Sequence, residues 1–461
     1  MSQLAEKAKS APLQGCGSCN DPAGRVRDRA ARPQPATART DGTGAEPPLG
    51  IYAKTASAPG KDREILWAST GEETGEIVPF ERKGAEFKPV VTSQMARAER
   101  FALKSVVNKF MPKSRTAKCM RWRVPHQELQ VLKSVEHNKA FYSGLQVCAS
   151  VWGCPVCSGK ITERRRVELV GAVATAKAKG WQVFLLTLTV PHGLGDELNG
   201  MLDSMMDAWR KTSSTRAGAR IRAAIALEGT VRALEVTDGS NGFHPHFHVL
   251  LFISSNVTTD TVQQAFTGLW INACVKAGLP APSPKHGIRV DDGSYAAAYA
   301  SKWGLESEMT KGHAKKGKHD SMTPWDMLRC YLATKCERSR KRFMVYIEAF
   351  KGRRQLYWSN GLKAKLGVGE VSDEELAHEQ KEDATVLSEL TDDQWRAVLW
   401  TKSEAALLQV AEDHPESLGD FIAGVQAMAR ATGMTADGAQ AAAGGVAVVG
   451  PMNGKTKARA K

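Results

Sequence analysis

The sequence predicts an α+β chain. Its centre is a ferredoxin-like, RRM-like antiparallel sheet, joined to a small Cys-rich module and a helical C-terminal extension. Three observations carry this. Between residues 183 and 303, apolar runs and amphipathic stretches alternate in the order β-α-β-β-α-β, followed by one more helix. Four cysteines gather upstream of that alternation, at 119, 148, 154 and 157. Charge is segregated: Val371 to Asp420 holds fourteen Asp/Glu against three Lys/Arg, a net of −11, so the rest of this +14 chain of 461 residues carries +25.

Taken in order, residues 1–95 are rich in Ala, Pro, Gly and charge and are expected to lack order. Residues 96–165 form the Cys-rich module, 166–362 the central domain, 363–430 the acidic helical extension, and 431–461 a disordered tail ending KTKARAK. Lys160–Ala178 has helical spacing. VFLLTLTV (183–190) is the continuous apolar run of a buried strand. MLDSMMDAWRKTSS and its continuation to Ala226 read as helix, VRALEVT (231–237) as strand, DGSNG as turn, and HPHFHVLLFI as the returning strand. Thr259–Ala277 is an amphipathic helix, GIRV (287–290) a short strand, and Ser294–Trp303 a helix with Asp292 as N-cap. This arrangement puts helices on one face of the sheet and leaves the other free.

No run approaches about 18 apolar residues, which excludes a membrane span, and the N-terminus lacks the apolar core of a secretion signal. The expected location is cytoplasmic. Nine cysteines there point to metal rather than to a disulfide framework. A basic body of this size points to a polyanion, with nucleic acid first.

Strand period puts His244, His246 and His248 on one face. If the turn centres between Ser240 and Asn241, Glu235 lies across from His246. A carboxylate facing two imidazoles makes a mixed N/O site, suited to Mg²⁺ or Mn²⁺ holding a phosphate oxygen. A register slip of one residue would turn Glu235 to the other face. Downstream, SYAAAYASKWG places Tyr295, Tyr299 and Lys302 on one helical face. Beside a metal-bound phosphate and a lysine, a phenol can be activated to attack phosphorus.

CASVWGCPVC supplies Cys148, Cys154 and Cys157, and KCMRW adds Cys119. CxxC with Pro between the thiols suits a tight knuckle holding structural Zn²⁺. Cys274, Cys330 and Cys336 read as small apolar residues. Arg164, Arg165 and Arg166 in ERRR, and Lys315 and Lys316 in KGHAKKGKH, are candidate DNA contacts.

HPHFHVLLF resembles the His-hydrophobic-His motif of HUH endonucleases, YASKWG their tyrosine motif, and FLLTLTVPH their first motif. The fit is closest to plasmid rolling-circle replication initiators, which the segment KGRRQLYWSNGLKAKLG (351–367) and its acidic sequel also resemble. The resemblance spans roughly residues 100–400. It implies that His246 and His248 bind the divalent ion and that Tyr299 is the nucleophile. Tyr295 stands where many plasmid initiators have Glu, a departure similar to the paired-tyrosine phage initiators. The function this implies is metal-dependent nicking and rejoining of one strand at an origin through a 5′-phosphotyrosine. The partners are single-stranded or supercoiled plasmid origin DNA and a host polymerase. No ATP-binding Gly-rich Lys loop is present, so a host helicase is also expected; a homodimer is left open. Two other readings stand beside it: a mobilisation relaxase or single-strand transposase using the same residues, and, from another class, a zinc-containing DNA-binding regulator without chemistry.

Overall fold

The computed structural model describes residues 65–69, 77–83, 86–89, 93–292, 321–378 and 383–434. The chain divides into two units, the first comprising residues 1–93 with 309–321 and the second the remainder. In the first unit, the described residues form a meander of β1 (Ile65–Ser69), β2 (Ile77–Lys83) and β3 (Glu86–Pro89). The segment expected to lack order therefore contains paired strands, at the places where Ile, Val, Phe and Trp gather among the polar residues.

The second unit opens with α1 (Ser93–Phe110), β4 (Gln130–Ser134), β5 (Ala140–Ser143) and α2 (Pro155–Ala178). There follow β6 (Gln182–Thr189), α3 (Leu198–Ser214), α4 (Arg216–Ala224), β7 (Leu227–Gly239), β8 (Gly242–Ile253), α5 (Thr259–Lys276) and β9 (Ile288–Asp292). The long helix expected to reach Ala226 is thus two helices, broken at Thr215, whose hydroxyl caps α4 by accepting from Gly218 N. The expected helix at 294–303 lies outside the described residues. After it come α6 (Pro324–Thr334), α7 (Glu337–Phe350) and β10 (Leu356–Trp358).

The central sheet has the order β10-β7-β8-β6-β9, and every neighbouring pair is antiparallel. Odd-numbered residues of β8 face α3 and α5: Phe247 meets Trp209 and Trp270 with ring centroids 6.3 and 6.4 Å away. Even-numbered residues face the other way. That face is not wholly free, because Leu250 and Phe252 pack beneath Leu169, Ala172, Val173 and Ala176 of α2. The reason is legible in VFLLTLTV and HVLLF, which are apolar at both parities, as strands covered on both faces must be. Only towards the β7–β8 turn does the even parity become polar, with His248, His246 and His244.

A smaller sheet, β11-β4-β5, adds β11 (Ala384–Glu389) from far along the chain. Around it pack α8 (Asp392–Thr401), α9 (Glu404–Asp413) and α10 (Leu418–Ala431), in one core with Cys119, Val131, Tyr142 and Cys154. Tyr142 and Trp395 meet edge to face at 5.0 Å. The Cys-rich segment and the acidic segment are therefore one folded body, and the acidic part supplies a strand as well as helices. No helix among the described residues is long and apolar enough to cross a membrane.

Glu412 locks this body. Buried at the end of α9, its carboxylate pairs with Arg97 of α1 and accepts from Ala140 N at 2.8 Å, while its own carbonyl takes Lys133 Nζ at 2.8 Å. Removing one partner of a buried pair strands the other, so Glu412→Ala is expected to cost about 3–5 kcal/mol. Reversible denaturant unfolding measures this; a loss below about 1 kcal/mol would show that Glu412 is no lock.

Candidate metal centres

The β7–β8 hairpin turns on two residues, Ser240 and Asn241, with Gly239 paired to Gly242. Gly242 takes φ +91°, and a Cβ there would sit 3.0 Å from the Gly193 carbonyl oxygen. The register that follows pairs Glu235 with His246, as the turn position predicts. Glu235 Oε2 stands 3.3 Å from His246 Nε2 and 3.6 Å from His248 Nε2. The three ligand atoms lie within 4.8 Å of one another. A hexacoordinate ion about 2.1 Å from each ligand wants adjacent ligand atoms about 3.0 Å apart. The two contacts of Glu235, at 3.3 and 3.6 Å, are a little wider than this, and small side-chain rotations would bring all three atoms onto one divalent cation.

Both imidazoles are oriented from behind. His248 Nδ1 is 3.1 Å from Thr187 Oγ1 on β6, and His246 Nδ1 is 3.2 Å from the His244 carbonyl oxygen. These contacts hold each Nε2 towards Glu235, the arrangement that fixes ring and tautomer in metal sites. Burial lowers the affinity of His246 for a proton, but the hydrogen bond and charge of Glu235 and the His244 carbonyl together raise its pKa above the usual value. His244 differs. Burial, then the charges of His246 and His192, lower its pKa to about 4. Its ring stacks on His192 at 4.6 Å and 12°, and it is not in the ligand group. Geometry thus groups Glu235, rather than His244, with the two histidines.

The second cluster is Cys119, Cys148, Cys154 and Cys157, all buried. Sγ atoms approach at 3.4 Å (Cys119–Cys157), 3.7 Å (Cys148–Cys157) and 3.8 Å (Cys119–Cys154). Four thiolates about 2.3 Å from a tetrahedral ion stand about 3.8 Å apart, so the residues fit one. The thiols share protons unequally. Hydrogen bonds with Cys148 and Cys154, with burial, raise Cys119 far above the ordinary thiol range. Cys154 is lowered, because three thiols and the charge of Lys104 outweigh its burial.

The candidate DNA contacts divide. Arg164 donates to the carbonyls of Leu376 and His378 at 2.7 and 2.6 Å. Arg165 pairs with Glu168 and Asp373 at 2.8 and 3.0 Å, and Arg166 pairs with Glu163. The ERRR run thus holds the acidic segment and its own helix rather than standing free for phosphates. Glu163 and Glu168, each three residues from an arginine it binds, are the sequence signal for this. Tyr295, Tyr299, Lys302, Lys315 and Lys316 lie outside the described residues. Sequence reasoning missed Thr187 and His192; both sit in the first-motif block, but the β6–β8 register that brings Thr187 to His248 has no local turn to reveal it.

A family model described as a replication protein matches residues 142–406. A "Protein rep" of Streptomyces lividans is 26% identical over 370 residues, covering 62% of this chain and 81% of that one. A "Neomycin resistance protein" of Streptomyces cyanogenus is 28% identical over 152 residues, 27% of this chain and 34% of that one. A "Protein rep" of Staphylococcus aureus is 29% identical over 124 residues, 25% and 52% of the two chains. No solved structure matches the chain. The family match spans Glu235, His246, His248 and three of the four clustered cysteines, and the chain belongs to the replication protein family, in agreement with its resemblance to plasmid rolling-circle replication initiators.

Proposed function

We propose that this replication protein starts rolling-circle replication by cutting, and later rejoining, one strand of plasmid origin DNA through a phosphotyrosine on Tyr299. The observation that carries the proposal is the oriented Glu235–His246–His248 group on the hairpin. The succession β6-α3-α4-β7-β8-α5-β9 supports the ferredoxin-like reading of residues 166–362.

A bound Mg²⁺ or Mn²⁺ would polarise a non-bridging oxygen of the scissile phosphate. The protein's residues do the rest. Glu235, His246 and His248 set the place of that phosphate. The Tyr299 oxygen attacks phosphorus, the bond from phosphorus to the 3′ oxygen breaks, and the phenolic proton passes to the departing 3′ oxygen. One phosphodiester is exchanged for another, so no external energy source is needed and the freed 3′-OH can prime a polymerase. Lys302 stabilises the developing charge. Tyr295 offers a second phenol for the return transfer.

Reach supports this assignment. β9 ends at Asp292, which pairs with Phe184, itself opposite Leu251. From there to His248 is two strand spacings across and three residues along, about 14 Å. Tyr299 lies seven residues beyond Asp292, a span of about 10 Å as helix and at most about 24 Å extended. The next described residues return at the opposite edge of the sheet, where Met322 bridges to Asp238 of β7.

Three outcomes test the proposal. With supercoiled origin plasmid and Mg²⁺, His246→Ala or His248→Ala should lose nicking roughly a thousandfold while duplex binding persists. Thr187→Val should lose roughly ten- to a hundredfold through ring misorientation. Full nicking by the double histidine variant in chelator-treated buffer would refute the site. Tyr299→Phe should bind origin DNA but form no covalent adduct, whereas Tyr295→Phe should still give the first nick; mass spectrometry of the trapped adduct decides, and a link mapped to Tyr295 alone reverses the assignment. We assign the cysteine cluster to structural zinc. Freshly reduced protein should hold about one Zn²⁺ per chain, and Cys154→Ser should lower thermal stability more than it changes cleavage; metal analysis without zinc overturns this.

A further inference from the structure

From Ala208 to Ala226 the chain carries Arg210, Lys211, Arg216, Arg220 and Arg222 and no acid. This is the end of α3 and all of α4, RAGARIRAA. Arg210 and Lys211 share Asp207, and Arg222 donates to the Ser213 carbonyl. Arg216 and Arg220 are exposed and have no hydrogen-bond or ion-pair partner among the described residues. Four apart on one helix, their like charges work against it. Nearly every other arginine of the sheet domain and its flanks is satisfied internally, as Arg165, Arg329, Arg342 and Arg353 show.

The backbone makes these two cations point outward. Gly218 is buried, and a Cβ on it would meet the Thr212 carbonyl oxygen at 1.8 Å, so α4 is pressed by its Gly218 face against the end of α3. Arg216 and Arg220 each stand about 160° round the helix from that glycine. Between and after them are exposed Ala217, Ala219, Ala223 and Ala224, a low surface that a polymer backbone can approach.

Position adds a distance. α4 runs through Ile225 and Ala226 into Leu227, which pairs with Ile253 at the end of β8 remote from the metal group. His246 is seven residues back along β8, about 24 Å. Duplex DNA rises 3.4 Å per base pair, so this is about seven base pairs.

We propose that α4 is a second, sequence-independent DNA contact: Arg216 and Arg220 hold backbone phosphates of the duplex arm flanking the cut strand, with the sheet end of α4 about seven base pairs from the scissile phosphate. The proposed distance to the cut rests on the nicking reading above; the phosphate contact itself does not.

The test uses the full chain, a labelled 30-base-pair duplex of mixed sequence, and anisotropy titrations from about 50 to 300 mM salt. Arg216→Gln with Arg220→Gln keeps helix propensity and removes both charges. The slope of log affinity against log salt should become shallower by about 1.8, and affinity at 150 mM should fall about 30-fold. Arg216→Lys with Arg220→Lys should keep most of both, since a point charge suffices for phosphate. Metal-dependent cutting of a single-stranded origin oligonucleotide should be unchanged in either variant. A Gln variant with the parent's affinity and slope, or a parent chain that binds no duplex, overturns the proposal. So does loss of binding to anionic phospholipid vesicles with duplex binding intact, which would make α4 a membrane contact. A parent chain that binds duplex through α4 yet never cuts the oligonucleotide overturns the nicking reading alone.

Discussion

Because successive side chains of a strand face opposite ways, the approach of Glu235 to His246 exists in only one register of the β7–β8 hairpin. A slip of one residue would send the carboxylate towards α3 and α5 and leave two imidazoles without their acid. The structure holds that register from several sides. The two-residue turn fixes it locally. Asp238, buried just before the turn, pairs with Arg342 of α7, whose guanidinium lies 3.6 Å over the Phe243 ring, and Met322 bridges to Asp238 along the outer edge. On the other side of β8, β6 sets Thr187 behind His248. The Glu235–His246–His248 group is thus a consequence of hairpin pairing.

A second dependence runs through α2. Its N-cap, Cys154, and Cys157 of its first turn enter the four-sulfur cluster, and its later turns lay Leu169, Val173 and Ala176 on the central sheet. Twenty-four residues of helix, about 36 Å, join the two cores as one rod. The cysteine loop is tied down at the same place: Trp152 donates to the Arg353 carbonyl at 2.7 Å and packs edge-on against Phe350 at 4.6 Å. A metal at the cysteines would fix where the rod starts, and so how it lies on the sheet that carries the histidines. The two centres serve one geometry, although they share no ligand.

How much of this was legible in the sequence follows the range of the determining interaction. The histidine hairpin was legible because a short turn sets register locally and apolar alternation sets the face. The cysteines were legible through CxxC, despite irregular spacing to Cys148 and Cys119. The pairing of β11 with β4 joins Ala384 to Ser134, residues far apart in sequence, and no local pattern announces it. In the structure the acidic stretch completes the cysteine-bearing core. The same blindness hid the cover that α2 gives one face of the sheet, although the two-parity apolar runs carried its trace. For ERRR the sequence marks charge, whereas the partners depend on which acids and carbonyls the fold brings near.

That last point reorganises the electrostatics of the chain. The acidic segment is tied into the fold by several of its own carboxylates. Asp373 meets Arg165, Glu370 meets Lys363, Asp392 meets Arg123 and Glu412 meets Arg97. Each pair neutralises a cation beside the cysteine core or along α2. Matched pairs contribute little to a long-range field, so attraction for a phosphate backbone falls to the cations the fold leaves unmatched. Folding therefore brings the acidic segment against part of the basic body and leaves a few cations, such as those of α4, unmatched. The unpaired cations of α4 sit at one end of the sheet and the Glu235–His246–His248 group at the other, a polarity that the proposed nicking reaction would use to hold a duplex at one place and a single strand at another.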